Sequence, residues 1–193
     1  MNREVYSRTN KTIDEWETPD YFFKLLDDIY HFTLDPCASD SNHKCEKYYT
    51  IKEDGLKQDW SKETVFVNPP FSNIKDWVKK CFDESQHFKF RKERNILATT
   101  VVMIIPSRTD TQYWHEHIMK AHEILFCKGR VNFLLNGEKP KNGSTFPLAV
   151  IVFRRIGIYN FDPKIGSFYH KEKDLKPNRT LENYIKKKDE EIF

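Results

Sequence analysis

At 193 residues, with 38% hydrophobic, 15% aromatic and 32% charged residues, the chain has the size and composition of one globular domain with a real core, which excludes a disordered polypeptide. Its net charge of +3 is mildly basic, so it permits nucleic acid as a partner without demanding one. No run of about 18 apolar residues occurs, and Met1-Asn2-Arg3-Glu4 opens onto polar residues rather than a signal-peptide core, so a cytoplasmic protein with no membrane partner is expected.

Residues up to about 14 form a polar lead-in. Thr18-Pro19-Asp20 then reads as a helix start, with Thr18 as N-cap, Pro19 at the first helical position and Asp20 in the first turn. Phe22, Leu25, Leu26 and Ile29 follow at helical spacing, and Trp16, just ahead, reads on helix logic as a core or staple residue. Phe32-Thr33-Leu34 is a short strand ending in Asp35-Pro36-Cys37-Ala38. Ligands of parallel α/β sheets bind outside the carboxyl ends of the strands, which would put Asp35 at a ligand edge; Asp-Pro also reads as a simple turn. Cys37, Cys45, Cys81 and Cys127 form no Cys-x-x-Cys pair, and the cluster Cys37, His43, Cys45 fits no familiar ligand spacing, so neither a disulfide framework nor a metal site is expected.

Residues 39–49 are polar with some helical character, followed by Asp54-Gly55-Leu56 and Gln58-Asp59-Trp60-Ser61. Thr64-Val65-Phe66-Val67 is strand-forming sequence that runs into Asn68-Pro69-Pro70-Phe71. Prolines donate no backbone hydrogen bond, Asn68 adds a side-chain carbonyl and Phe71 a flat apolar ring. Together they suit an amino group on a planar heterocycle, although the same four residues also read as a Pro-stiffened turn. Only about 30 residues separate Asp35 from Asn68, whereas each parallel crossover consumes about a dozen or more, so one layer of an ordinary doubly wound sheet must be shortened in the middle.

Ser72 is placed to cap a helix carrying Ile74, Trp77, Val78, Cys81 and Phe82 at a 3.6-residue period. His87-Phe88-Lys89-Phe90-Arg91-Lys92-Glu93-Arg94 interleaves basic and aromatic residues, as a solvated connector or as a phosphate-contacting arm. Residues 96–105 are nearly unbroken apolar sequence ended by Pro106, a strand buried on both faces, after which Ser107-Arg108-Thr109-Asp110 starts another helix. His115 and His117, on that helix, read as non-ligands. Residues 122–135 and 145–154 are strand-like and joined by a turn-rich loop, an antiparallel hairpin. The remainder is poor in apolar periodicity and divides the chain into a domain over 1–160 and a charged extension over 161–193.

Three elements thus occur in one order: Trp16-x-Thr18-Pro19, Asp35-Pro36-Cys37-Ala38 and Asn68-Pro69-Pro70-Phe71. The last resembles the Asn/Asp/Ser-Pro-Pro-Tyr/Phe/Trp motif of amino-methyltransferases that use S-adenosylmethionine. From about residue 14 to residue 154 the chain resembles the short phage-type DNA N6-adenine methyltransferase family, and Gly129-Arg130 followed by Phe133 resembles that family's later strand signature. The resemblance implies an α/β, Rossmann-like methyltransferase sheet, mostly parallel with a C-terminal antiparallel hairpin and shortened in the middle. It implies S-adenosylmethionine as cofactor, adenine-containing DNA as partner and the cytoplasm of a bacterial host as location. Trp16, Thr18 and Pro19 would contact the cofactor's methionine end, Asp35, Pro36 and Ala38 would line its bed, and Asp54 or Asp59 would approach its adenosine. Asn68, Pro69, Pro70 and Phe71 would be the catalytic set. The absence of a Gly-x-Gly after the first strand departs from many methyltransferases and leaves the cofactor loop open. DNA contacts are expected from the loops around residues 88–94, Arg108 and residues 139–142. RNA adenine, a protein glutamine amide, or nucleic-acid binding without catalysis are the rival readings.

Overall fold

The computed structural model describes residues 14–86, 99–140, 146–154 and 163–171. In chain order they form α1 (Asp20–Tyr30), β1 (Leu34–Asp35), β2 (Lys47–Tyr48), β3 (Thr64–Val67), α2 (Ile74–Gln86), β4 (Thr100–Pro106), α3 (Gln112–Glu116), β5 (Glu123–Cys127), β6 (Leu148–Phe153) and β7 (Lys164–Phe168). The strands make one seven-stranded sheet in the order β2-β1-β3-β4-β6-β5-β7. Pairings are parallel from β2 to β4 and between β5 and β7, while β6 runs antiparallel to both β4 and β5.

Helices cover both faces of this sheet, and the apolar strands therefore feed two cores. On β4, Val101, Met103 and Ile105 face Trp77, Val78 and Cys81 of α2 and Trp114 of α3. Val102 and Ile104, alternating with them, pack with Phe22 and Leu26 of α1. No helix among the described residues is long and apolar enough to cross a membrane.

The shortening falls on the connections around β2. Residues 36–46 reach it through turns: Ser39 and Asn42 exchange backbone hydrogen bonds of 3.0 and 3.1 Å, and a Ser39 side-chain bond reinforces them. Such local bonding competes with helix formation, which is why the helical character read into residues 39–49 is not realised. Only a 3-10 turn, Gly55–Lys57, lies between β2 and β3.

Helix starts also differ from expectation. Thr18 does not cap α1; Pro19 flanks the helix in extended conformation (φ −61°, ψ 141°), and its carbonyl accepts the Phe22 and Phe23 N–H groups at 3.0 Å. Ser72 sits in a 3-10 turn (Phe71–Asn73), where its N–H donates to Asp14 Oδ1 at 2.8 Å, and α2 begins after it. The third helix begins at Gln112 behind Thr111 rather than at residues 107–110.

The antiparallel pair expected near the C-terminus is present as β5 and β6, but the first run is shorter than residues 122–135. The chain leaves the sheet after Cys127 through Gly129, whose φ of 85° is the left-handed conformation that glycine tolerates. Val131 and Phe133 then drop into the core beneath α1. The division drawn at residue 160 falls between β6 and β7, and β7 pairs with β5 as the edge of the same sheet. The basic and aromatic run at residues 87–94 lies outside the described residues, as do residues 141–145 and 172–193.

Candidate active site

From β1 the chain moves to β2 on one side and then returns across β1 to β3 on the other, so the strand order reverses between β1 and β3. At such a reversal the connections diverge and leave a crevice at the carboxyl ends of the strands. Asp35 ends β1, Asn68 follows β3, and the two strands are parallel neighbours with Leu34 paired to Val65. A cleft of about 290 Å³ opens there, near the lower end of the range of about 300–1,000 Å³ for small-molecule sites.

Of the residues nominated from sequence, Trp16, Thr18, Asp35, Ala38, Asn68 and Pro70 line this cleft together. Pro19, Pro36 and Pro69 are buried beside lining residues without lining it. Phe71 is 9% exposed and packs into the core with its ring edge-on to Phe146, at 5.3 Å and 79°. Asp54 and Asp59 are not brought to the cleft: Asp54 pairs with Lys57 at 2.9 Å, and Asp59 accepts from the N–H and hydroxyl of Ser61. Glu17, Lys44 and Asn136, which stand in no sequence motif, also line the cleft.

Asn68 is oriented by an unambiguous contact. Its Nδ2 donates to the Trp16 carbonyl at 2.8 Å, and because a carbonyl can only accept, the two ends of the amide are fixed. The opposite atom, Oδ1, is buried and has no hydrogen-bond partner among the described residues. Leaving a buried acceptor unmatched costs about 1–3 kcal/mol, so a donor from a ligand is the economical explanation.

The segment that supplies the Trp16 carbonyl is itself strapped down. Glu17 and Leu134 exchange two backbone hydrogen bonds of 2.9 Å, Glu17 Oε2 accepts the Gly137 N–H at 3.2 Å, and Trp16 stacks on Phe146 at 5.3 Å. Thr18, released from the capping role, is 2% exposed, and its hydroxyl has no hydrogen-bond partner among the described residues.

Asp35 is 5% exposed and accepts backbone N–H bonds from Cys37 at 3.2 Å and Lys44 at 3.0 Å. Burial pushes its carboxyl up from 3.8 to about 6, and those two bonds offset the shift only in part. A cation entering the cleft favours the ionised form. Among the described residues no group of three or more His, Cys, Asp or Glu side chains is arranged to hold a metal ion.

A small-molecule cleft at the switch point of an α/β sheet, walled by Asp35 at one strand end and by Asn68 and Pro70 after the next, is the architecture of a Rossmann-like methyltransferase. Comparison with known proteins narrows this: the family described as DNA N-6-adenine-methyltransferase (Dam) matches residues 6–190. The chain belongs to that family. It is 28% identical over 128 residues to the DNA N-6-adenine-methyltransferase of Escherichia phage T1, covering 65% of this chain and 50% of that protein. With the protein of the same name from Haemophilus phage HP1 it shares 28% identity over 146 residues, covering 72% of this chain and 78% of the relative. The chain therefore spans about half the length of the first relative and over three quarters of the second.

Proposed function

We propose that this chain transfers a methyl group from S-adenosylmethionine to the N6 amino group of an adenine turned out of duplex DNA. The observation that carries the reading is the buried, unmatched Oδ1 of Asn68 beside the cleft, on a side chain whose Nδ2 donates to the Trp16 carbonyl. The cleft suits the cofactor's chemistry: Asp35 offers a carboxylate to its cationic groups and the unmatched Thr18 hydroxyl a polar contact to its methionine end.

When bound, S-adenosylmethionine supplies an electrophilic methyl group on a sulfonium. The protein's part is to make a weak nucleophile usable, since the lone pair of an adenine amino group is delocalised into the ring. Asn68 Oδ1 and the Pro69 carbonyl accept its two N–H bonds and favour a pyramidal nitrogen as positive charge develops. The Pro70 carbonyl is already engaged by the Asn73 N–H at 3.2 Å. These acceptors act most strongly on the transition state. The carbon–nitrogen bond would form as the cofactor's carbon–sulfur bond broke, and the proton released from the methylated nitrogen would pass to water without a dedicated general base.

A base stacked in a duplex cannot reach this rim, so it must flip, with Phe71 assigned to stacking. A ring already fixed by its neighbours gives up little freedom on stacking, which is worth about 1–3 kcal/mol per base. Arg108, exposed just after β4, is assigned to the DNA. Asp54 and Asp59 receive no adenosine contact in this reading.

Cofactor affinity should depend on pH through Asp35. Its carboxyl is raised from 3.8 to about 6, so between those values the folded chain holds a proton that the unfolded chain has lost. Stability from this group is therefore greatest below about 4, falls as pH rises to about 6, and is level above. A cationic ligand needs the ionised form, so calorimetric affinity should climb by up to about tenfold per pH unit below 6 and level off above it. Asp35→Asn should flatten that profile; His43 and Lys44, which act on Asp35 electrostatically, stay in place as controls. An unchanged slope in the variant removes Asp35 from cofactor binding.

The decisive test is to express the chain in bacteria lacking adenine methylation and sequence the modified bases. N6-methyladenine in a fixed DNA context is the expected result. Purified protein offered duplex DNA, structured RNA and protein would expose the rivals, which predict methylated RNA, methylated glutamine or no product.

A further inference from the structure

Four acidic residues, Asp14, Glu15, Glu17 and Asp35, line the cleft, and among the described lining residues Lys44 is the one basic side chain. We infer that Lys44 binds the carboxylate of the cofactor's amino-acid end, beside the Thr18 hydroxyl. The inference rests on S-adenosylmethionine being the cofactor. That molecule carries a sulfonium and an ammonium, which the acids suit, and a carboxylate, which they repel. An acidic cleft must therefore provide one local site of opposite sign, or binding loses the charge complementarity gained elsewhere.

Two residues of the cleft lining carry the inference, and the neighbouring helix end supports it. The Lys44 side chain is 14% exposed, and its Nζ lies 2.5 Å from Asp20 Oδ1 in the first turn of α1. Thr18, two residues before that helix, is 2% exposed and its Oγ1 has no partner among the described residues. The helix itself has 11 residues, enough for its N-terminal N–H groups and dipole to favour an anion.

Fixing Asp20 alone does not account for a largely buried lysine. The Asp20 side chain is 93% exposed, and ion pairs with such a solvated partner contribute little. An ammonium has three donors, so Lys44 can keep Asp20 and still reach a second carboxylate. Its contact with Asp35 is made through the backbone N–H and survives replacement of the side chain.

The test compares S-adenosylmethionine with its decarboxylated analogue, in which an amine remains and the carboxylate is gone. By calorimetry, the wild-type chain should bind the decarboxylated analogue about tenfold or more weakly, the scale of one charge-assisted contact. Lys44→Gln should weaken S-adenosylmethionine by a similar factor and leave the analogue within about twofold, and Lys44→Arg should restore most of the loss. Equal wild-type affinity for the two ligands overturns the inference without any variant being needed. Equal weakening of both ligands by Lys44→Gln overturns it too, by showing a general disturbance of the cleft. Failure of the wild-type chain to bind either ligand would instead overturn the cofactor reading on which the inference stands.

Discussion

Asn68→Ala is expected to lower the methyl-transfer rate by about 10²–10³-fold, the usual effect of removing one preorganised hydrogen-bonding group from a reacting centre. The residue is set up to act on the transition state rather than to hold the fold. Its donor end is committed to the Trp16 carbonyl at 2.8 Å, and its acceptor end is buried without a partner. Cofactor affinity should stay within about threefold, because the acceptor is assigned to the base, and stability should fall by only about 1 kcal/mol for the lost bond to Trp16. Asn68→Asp separates the two ends of the amide. A carboxylate still accepts from the adenine amino group but cannot donate to the Trp16 carbonyl, so two acceptors would face each other and activity should lie between wild type and alanine. Single-turnover transfer of a radiolabelled methyl group, with calorimetry of the cofactor alongside, reads both quantities. Wild-type turnover by the alanine variant would remove Asn68 from the chemistry.

The relation between Asn68 and Asp35 was legible in the sequence because it follows from a general rule. Two extended runs that each end in a polar residue before proline place those residues at one edge if the runs are parallel neighbours, and β1 and β3 are. The buried β4 was legible for a similar reason, since unbroken apolar sequence suits only a covered strand. Thr18 shows where local rules end. Thr-Pro-Asp fits a helix with threonine as cap, yet the extended Pro19 moves the boundary by one residue and leaves the hydroxyl unpartnered in the cleft. Sequence does not decide between those two registers, which differ by a single ψ angle. β7 was missed because an edge strand whose residues are mostly exposed carries no apolar pattern. Asp54 and Asp59 were nominated by their place in the chain, but their charges are answered locally by Lys57 and by Ser61. Lys44 and Glu17 sit outside regular helix and strand, and their places in the cleft follow from how the loops close, for which no periodicity gives a signal.

Gly55→Ala is expected to cost about 1–3 kcal/mol of stability, the range for overpacking a well-filled core. The same change should weaken cofactor binding by about tenfold or more, since an ångström-scale displacement of a positioning element is enough for losses of that size. A Cβ at residue 55 would lie 2.2 Å from the Pro36 carbonyl oxygen and 3.1 Å from the carbonyl carbon, distances at which something must move. The Gly55 side is poorly placed to yield. Its own carbonyl accepts the indole N–H of Trp60 at 3.0 Å, and Trp60 is fully buried. The Trp60 backbone N–H reaches Glu84 Oε2 at 3.3 Å, and Lys80 ties that glutamate (2.6 Å) to the Gln58 carbonyl (2.8 Å), fastening residues 55–60 to α2. The displacement therefore falls on Pro36 and on the turn that lets Asp35 accept the Cys37 and Lys44 N–H groups. Urea unfolding would read the stability term, and calorimetry at a temperature where the variant is fully folded would read the affinity. Loss of affinity with the rate at saturating cofactor preserved marks a displaced Asp35 wall, because Asn68 is held from the other side of the cleft by Trp16. A variant with wild-type affinity would show that the Asp35 turn tolerates the shift and does not position the cofactor.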